Sequence, residues 1–229
     1  MRTKTTSDYR VNFRFAPSLM TAGLVSALVV GATLAVAQQG DVEMSPISGD
    51  PDNPRRHFRL RHPAELAHQE AAEIYALISD SLSAGYGRSG LSAVGEYRTW
   101  TQANSAPYLS ATHGNHYLNN YVNETGAATY TRFEKGGTMP VGTVIAKDSF
   151  SVTQSRSIVL GPLFVMEKMP AGFNYVTDDW KYLAIQADGT VLGETGAPGA
   201  ERVEYCIACH LARKQYDHLY FIPPAYRSE

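Results

Sequence analysis

The chain has 229 residues, of which 44% are hydrophobic, and 20 lysines and arginines stand against 22 aspartates and glutamates. A formal net charge of −2 excludes the basic balance typical of nucleic-acid-binding proteins and gives no reason to expect an acidic surface as a partner. With two cysteines in the chain, a disulfide-rich fold is also excluded, so a domain must depend on its own core and on any cofactor.

The first 37 residues have the three-part layout of a secretory signal peptide. Basic residues at positions 2–14 precede an apolar run over residues 19–36, and Ala35-Val36-Ala37 is a small-x-small cleavage pattern. An uncleaved anchor is the alternative, because the run approaches the ~20 residues that a bilayer requires. We expect residues 1–37 to be a signal peptide for export to the periplasm. Residues 38–62, rich in Gly, Pro, Asp and Asn, predict a flexible tether to one domain over residues 63–229.

An amphipathic helix is predicted from Pro63, because proline is favoured at the first position of a helix. Apolar residues then recur at spacings of three and four, and Gly85 and Gly87 are expected to end the helix. The apolar positions are Ala67, Ala71, Ile74, Ile78 and Leu82.

From about residue 97 the pattern changes to short strands separated by turns. In residues 117–122, Leu118 and Val122 share one face while Tyr117 and Tyr121 share the other, which is the two-residue period of a strand. Further strands are predicted at residues 143–147, 163–168, 180–185 and 191–192. The pattern predicts an α+β fold, mainly an antiparallel sheet with a few helices.

The sequence Cys206-Ile207-Ala208-Cys209-His210 is the attachment signature of a c-type haem. Residues three and four apart share a face of a helix, so Cys206, Cys209 and His210 can all point at one flat ligand. We expect two thioether bonds from the cysteines and an iron–imidazole bond from His210. A redox C-x-x-C pair lacks its usual strand–helix context here, and a zinc site lacks the further ligands that it needs.

The position of the motif distinguishes between haem folds. A mitochondrial-type cytochrome c carries its motif near the N-terminus and supplies a later methionine, whereas no methionine follows His210. The four-helix cytochrome c′ has a late motif but a helical body, which the period-two region excludes. We therefore expect the haem to be held on a C-terminal helix beside a sheet.

Residues from about 97 to 221 resemble the cytochrome P-460 family, which includes the β-sheet cytochromes c′. The haem motif and the segment Pro140-Val141-Gly142-Thr143-Val144-Ile145-Ala146-Lys147 are the more specific parts of this resemblance. The resemblance implies a sheet-rich haem domain, often a homodimer, in agreement with the strand pattern. The other matching pieces are Trp100, His113-Gly114, Tyr121-Val122-Asn123, Met166-Glu167-Lys168, Gly172-Phe173 and Asp178-Asp179-Trp180.

In the members that oxidise hydroxylamine, a lysine is joined covalently to the haem edge and a carboxylate accepts protons. Lys147 matches the lysine, with Lys168 as the second candidate. Glu167 is the residue that we assign as the catalytic carboxylate, with Asp178 and Asp179 as alternatives. The resemblance thus implies one covalent haem c, a small nitrogen-oxide ligand or substrate at an open iron position, and an external electron acceptor.

Two other functions stay open. A cytochrome c′-like protein would bind nitric oxide without turnover, with Phe164 and Phe173 as candidates for an apolar wall. A plain electron carrier would instead fill the sixth position of the iron, and His113 beside Gly114 is interpreted as a turn residue rather than as that ligand. Candidate sulfur ligands are Met139, Met166 and Met169.

Overall fold

The structure is a computed structural model that describes residues 10–11, 59–60 and 62–229. Within these residues the fold is α+β, with a single nine-stranded sheet. Its strands are β1 (Arg10–Val11), β2 (Thr101–Gln102), β3 (Tyr108–Ser110), β4 (His116–Val122), β5 (Val144–Val152), β6 (Ser157–Leu160), β7 (Leu163–Lys168), β8 (Trp180–Ile185) and β9 (Val191–Glu194). The α-helices are α1 (His68–Gly87), α2 (Ser92–Gly95), α3 (Glu124–Tyr130) and α4 (Glu204–His210).

β5 is the strand around which the sheet is arranged. One of its edges pairs with β4 over residues 145–150. Its other edge pairs with β7 over residues 144–147 and with β6 over residues 150–152. β8 continues the sheet from β7, β9 continues it from β8, and β2 and β3 both pair with β4. All of these pairs are antiparallel, and the short β1 pairs in parallel with β6.

The alternation of side chains in the central strands gives the sheet two buried faces. On one face, Ala146, Val165 and Leu183 belong to the same apolar cluster as the buried side of α1. On the other face, Phe164 and Tyr182 belong to a second cluster that includes residues before and after α4. The sheet therefore lies between α1 and the segment that carries the haem motif.

The strand predictions at residues 163–168 and 180–185 are confirmed to the residue as β7 and β8. The strand predicted at residues 143–147 begins at Val144 and continues to Val152, because Phe150 and Val152 extend the apolar alternation into the α1 face. The C-terminal helix that carries the motif is present as α4, after a 3₁₀ turn at Ala200–Val203.

The predicted start of the first helix is wrong, although its end at Gly87 is confirmed. The helix begins at His68, because the backbone before it is extended and pairs with the end of β5. Pro63 forms an isolated antiparallel bridge with Thr153, and the Ala64 amide donates to the Val152 carbonyl at 2.7 Å.

Most of the predicted signal peptide and tether lies outside the described residues. Leu60, near the end of the predicted tether, is buried, and its amide donates to the Gly114 carbonyl at 3.0 Å. None of the helices described has an apolar stretch of the length and hydropathy needed to cross a membrane.

Candidate functional site

The haem motif lies on α4, a helix of seven residues packed against the second face of the sheet. Cys206, Cys209 and His210 all line one cleft, together with Lys147 from β5 and Phe164 from β7. The empty volume of this cleft, including the part open to solvent, is about 560 Å³. Sites of several hundred Å³ with mostly apolar walls are typical of cofactor pockets.

His210 has the geometry of a metal ligand whose second nitrogen is already engaged. Its Nδ1 lies 2.6 Å from the backbone carbonyl oxygen of His218. A carbonyl only accepts, so Nδ1 carries the proton and donates, and Nε2 keeps its lone pair. Burial, and then the nearby Lys147 ammonium, lower the pKa of His210 to about 3. The imidazole is therefore neutral at physiological pH, which is the state that binds iron.

Neither cysteine is in a disulfide; Cys206 is half-buried and Cys209 is exposed. Burial raises the pKa of Cys206 to about 12, so this sulfur stays protonated at neutral pH. Nowhere in the described residues do three or more His, Cys, Asp or Glu side chains gather into a group that could hold a metal ion. Two thiols and a neutral imidazole facing one cleft with largely apolar walls fit a haem.

Lys147 lines the same cleft as the haem motif. Its side chain is buried, at 5% exposure, and burial lowers the pKa of its ammonium to about 8. Within the described part of the chain its Nζ has no hydrogen-bond or ion-pair partner. Near neutral pH a fraction of this amine is therefore neutral and available as a nucleophile.

Lys168, the second candidate for the cross-link, has its Nζ engaged in two hydrogen bonds. It donates to Asp217 Oδ1 at 2.7 Å and to the Asp178 carbonyl at 2.8 Å. The described residues that line the cleft do not include Lys168. This arrangement favours Lys147 over Lys168.

Glu167 is not brought to the cleft. Adjacent residues of a strand point to opposite faces, so Glu167 faces away when Met166 lines the cleft wall. Its Oε2 instead lies 2.6 Å from Lys181 Nζ. The assignment of Glu167 as the catalytic carboxylate therefore has no geometric support.

The alternative carboxylates also have other partners. Asp178 Oδ2 lies 3.0 Å from His218 Nε2, and Asp179 Oδ1 accepts from the amides of Gly172 and Asn174. Among the described residues that line the cleft, none is acidic.

The structure places His113 in the cleft wall, where the sequence predicted only a turn residue. Gly114 does adopt the left-handed conformation of a turn, with φ 73°. The His113 ring packs edge-on against Phe164 with centroids 5.0 Å apart, and its Nδ1 lies 3.1 Å from Ser110 Oγ. The sequence feature that could have indicated a role for His113 in the cleft was the His113-Gly114 pair within the resemblance.

The remaining walls are apolar or aromatic. Phe164 and Met166 line the cleft, whereas the described lining does not include Phe173, Met139 or Met169. The other lining side chains missed from the sequence are Thr112, Ile145, Val165, Tyr182, Leu183, Tyr205 and Tyr220.

Comparison with known protein families places the chain in one of them. The sequence model of the family described as Cytochrome P460 matches residues 94–221, more than half of the chain, and this span includes every residue named in the cleft. No curated protein matches the chain. The chain belongs to the cytochrome P460 family and is a haem cytochrome.

Proposed function

We propose that this protein is a periplasmic c-type cytochrome with one covalently attached haem, and that it oxidises hydroxylamine and passes the electrons to an external acceptor. The observation that carries this proposal is the buried amine of Lys147, without a partner in the described residues, in the same cleft as Cys206, Cys209 and His210. Burying an amine without a partner is costly because burial disfavours its charged form, and groups perturbed in this way cluster at functional sites.

Each residue has a defined part. The Cys206 and Cys209 thiols would hold the haem as thioethers, and His210 Nε2 would bind its iron. Lys147 would be the residue joined to the haem edge, as in the hydroxylamine-oxidising members. When bound, the haem supplies a redox couple and an open iron position for a small nitrogen ligand.

Oxidation of hydroxylamine releases protons together with electrons, so the site needs a base. His113 is our candidate, because it lines the cleft and its Nδ1 is oriented by Ser110 and Thr112, at 3.1 and 3.3 Å from their hydroxyl oxygens. Histidine is the most frequent general base in enzymes. In this chain it would replace the carboxylate of the active relatives.

Binding of nitric oxide without turnover is the second candidate function. It is favoured by the walls of Ile145, Phe164 and Met166 and by the lack of an acidic residue among the described residues that line the cleft. An apolar wall admits a small neutral ligand but offers little help in removing protons.

Peptide mapping by mass spectrometry tests the proposal. The protein is produced in a host that matures c-type haem. One sample is digested with trypsin for mass spectrometry, and an intact sample is assayed for hydroxylamine-dependent reduction of a dye. We expect a haem peptide that joins the Cys206 segment to the Lys147 segment, and loss of turnover in Lys147→Met. Lys181→Met is the matched control, because it removes a strand lysine that pairs with Glu167 and Glu194 outside the cleft. Haem found with the Cys206 peptide alone, together with nitric oxide binding and no turnover, would favour the second function.

A further inference from the structure

The carbonyl that accepts from His210 lies in a strained turn. Asp217 and His218 are consecutive residues in the left-handed region, with φ values of 51° and 64°. Both are buried, His218 completely. Left-handed backbone is uncommon for residues other than glycine, and it persists only where the surrounding structure holds it.

Asp217 is held by two hydrogen bonds to different parts of the chain. Its Oδ1 accepts from Lys168 Nζ at 2.7 Å, and its Oδ2 accepts from the Met139 amide at 2.8 Å. Both side chains of the Lys168–Asp217 ion pair are buried, with 7% and 5% exposed. The ammonium also lies 5.2 Å from the centre of the Trp180 ring.

His218 is held by hydrogen bonds to other partners. Its Nε2 lies 3.0 Å from Asp178 Oδ2, and its Nδ1 lies 3.3 Å from the His210 carbonyl. Asp178 belongs to the same arrangement, because its own carbonyl accepts from Lys168 Nζ. β7, the loop before β8 and the 217–218 turn are thus tied together around the His218 carbonyl.

We propose that the buried Lys168–Asp217 ion pair is a positioning device that holds the His218 carbonyl against His210 Nδ1 and thereby sets the reduction potential of the haem. A buried ion pair adds little net stability, because desolvation of both charges opposes their attraction. The hydrogen bond that it holds has a chemical effect, since an acceptor on the second nitrogen raises the basicity of a histidine ligand. A more basic imidazole favours the ferric over the ferrous state. The inference depends on haem ligation by His210, as in the proposed function, and not on the substrate.

Two variants test this inference in the haem-loaded protein. Asp217→Asn keeps an acceptor but loses the charge, and Lys168→Met removes the ammonium while keeping the length of the side chain. The potential is measured by spectroelectrochemical titration, and the iron–histidine stretching frequency by resonance Raman spectroscopy of the ferrous protein. We expect both variants to lower the iron–histidine stretching frequency. We also expect them to shift the ferric–ferrous equilibrium about tenfold toward ferrous, which raises the potential by about 59 mV for a one-electron couple.

Lys181→Met is again the control, since it breaks ion pairs on the opposite face and should change neither value. Lys168→Arg and Asp217→Glu keep the charges and should give smaller shifts of the potential and the frequency. They replace the first two variants in the test if those do not fold. An unchanged potential and frequency in folded, haem-loaded variants would overturn the inference. Both readouts exist whether or not the protein oxidises hydroxylamine, so failure of the proposed activity would leave this test intact.

Discussion

Lys147 and Asp148 are neighbours on β5, and their side chains enter opposite faces of the sheet. Lys147 lines the haem cleft, whereas Asp148 faces α1 and accepts hydrogen bonds from Tyr75 and Tyr97 at 2.6 and 3.0 Å. Both side chains are at most 5% exposed. One strand therefore carries two buried titratable groups, one with hydrogen-bond partners and one whose Nζ has none in the described residues.

The stability of the haem-free chain is expected to depend on the protonation of Lys147. Burial lowers its pKa from 10.5 to about 8, so between these pH values the unfolded chain holds a proton that the folded chain has released. Its contribution to the free energy of unfolding therefore rises with pH over this range. Lys147→Met should raise the free energy of unfolding at pH 7 by up to about 3 kcal/mol, at about 1.36 kcal/mol per pKa unit.

Urea denaturation of both proteins at pH 7 and at pH 10.5 measures this effect. The advantage of Lys147→Met should largely disappear at pH 10.5, where the wild-type amine is neutral in the folded chain and already half deprotonated in the unfolded chain. An equal advantage at both pH values would show that the charge of Lys147 is not its cause.

Asp148 is expected to be essential to the α1 face of the sheet. Desolvation raises the pKa of this carboxyl to about 6, although hydrogen bonds from Tyr75, Asn119 and Tyr97 favour its charged form. Asp148→Ala would leave these donors without their acceptor, at about 1–3 kcal/mol for each group left unpaired in the interior. We expect the free energy of unfolding to fall by at least about 3 kcal/mol in urea denaturation. Tyr121→Phe should cost much less, because Tyr75 would keep its bond to Asp148.

Removal of the Tyr182 hydroxyl is expected to have the opposite effect on the free energy of unfolding. It is buried in the cleft wall and has no hydrogen-bond partner among the described residues. In the haem-free chain, Tyr182→Phe should therefore raise the free energy of unfolding by about 1 kcal/mol, since an unpaired buried hydroxyl is removed. Tyr97→Phe is the matched comparison and should lower it by about 1 kcal/mol, because that hydroxyl donates to Asp148. Equal effects of the two substitutions would contradict this explanation.

Turnover should distinguish His113 from Glu167 as the base. We expect His113→Ala to slow hydroxylamine oxidation by about 10²-fold or more, the usual contribution of a positioned general base. Glu167→Gln should keep the wild-type rate, because its side chain pairs with Lys181 on the face away from the cleft. Steady-state assays across pH, with haem content measured for each variant, provide the test. A large loss in Glu167→Gln with normal haem content would restore the carboxylate assignment.

Much of this fold could be predicted from the sequence because its signals are local. Period-two alternation predicted β7 and β8 to the residue, and the spacing of Cys206, Cys209 and His210 predicted a shared helix face. β5 was predicted too short, because the predicted strand ended at Lys147 and the observed strand continues through Asp148 and Ser149. In the structure both are buried, and Asp148 is held by tyrosine and asparagine side chains.

Two features of the site required the three-dimensional structure. Alternation alone says that Met166 and Glu167 face opposite ways, but only the packing of α4 shows which of these faces is the cleft. The Lys168–Asp217 pair joins residues 49 positions apart, and no sequence period reports such a contact.

Because β5 contributes side chains to both faces of the sheet, substitutions on one face can affect the other. Because Ala146 and Asp148 pack toward α1 while Ile145 and Lys147 border the cleft, the cofactor and the long helix are separated by the thickness of one backbone. A bulkier side chain on the inner side of α1 would press on the strand that carries Lys147. Substitutions along α1 are therefore expected to affect the cleft as well as the folding of the domain.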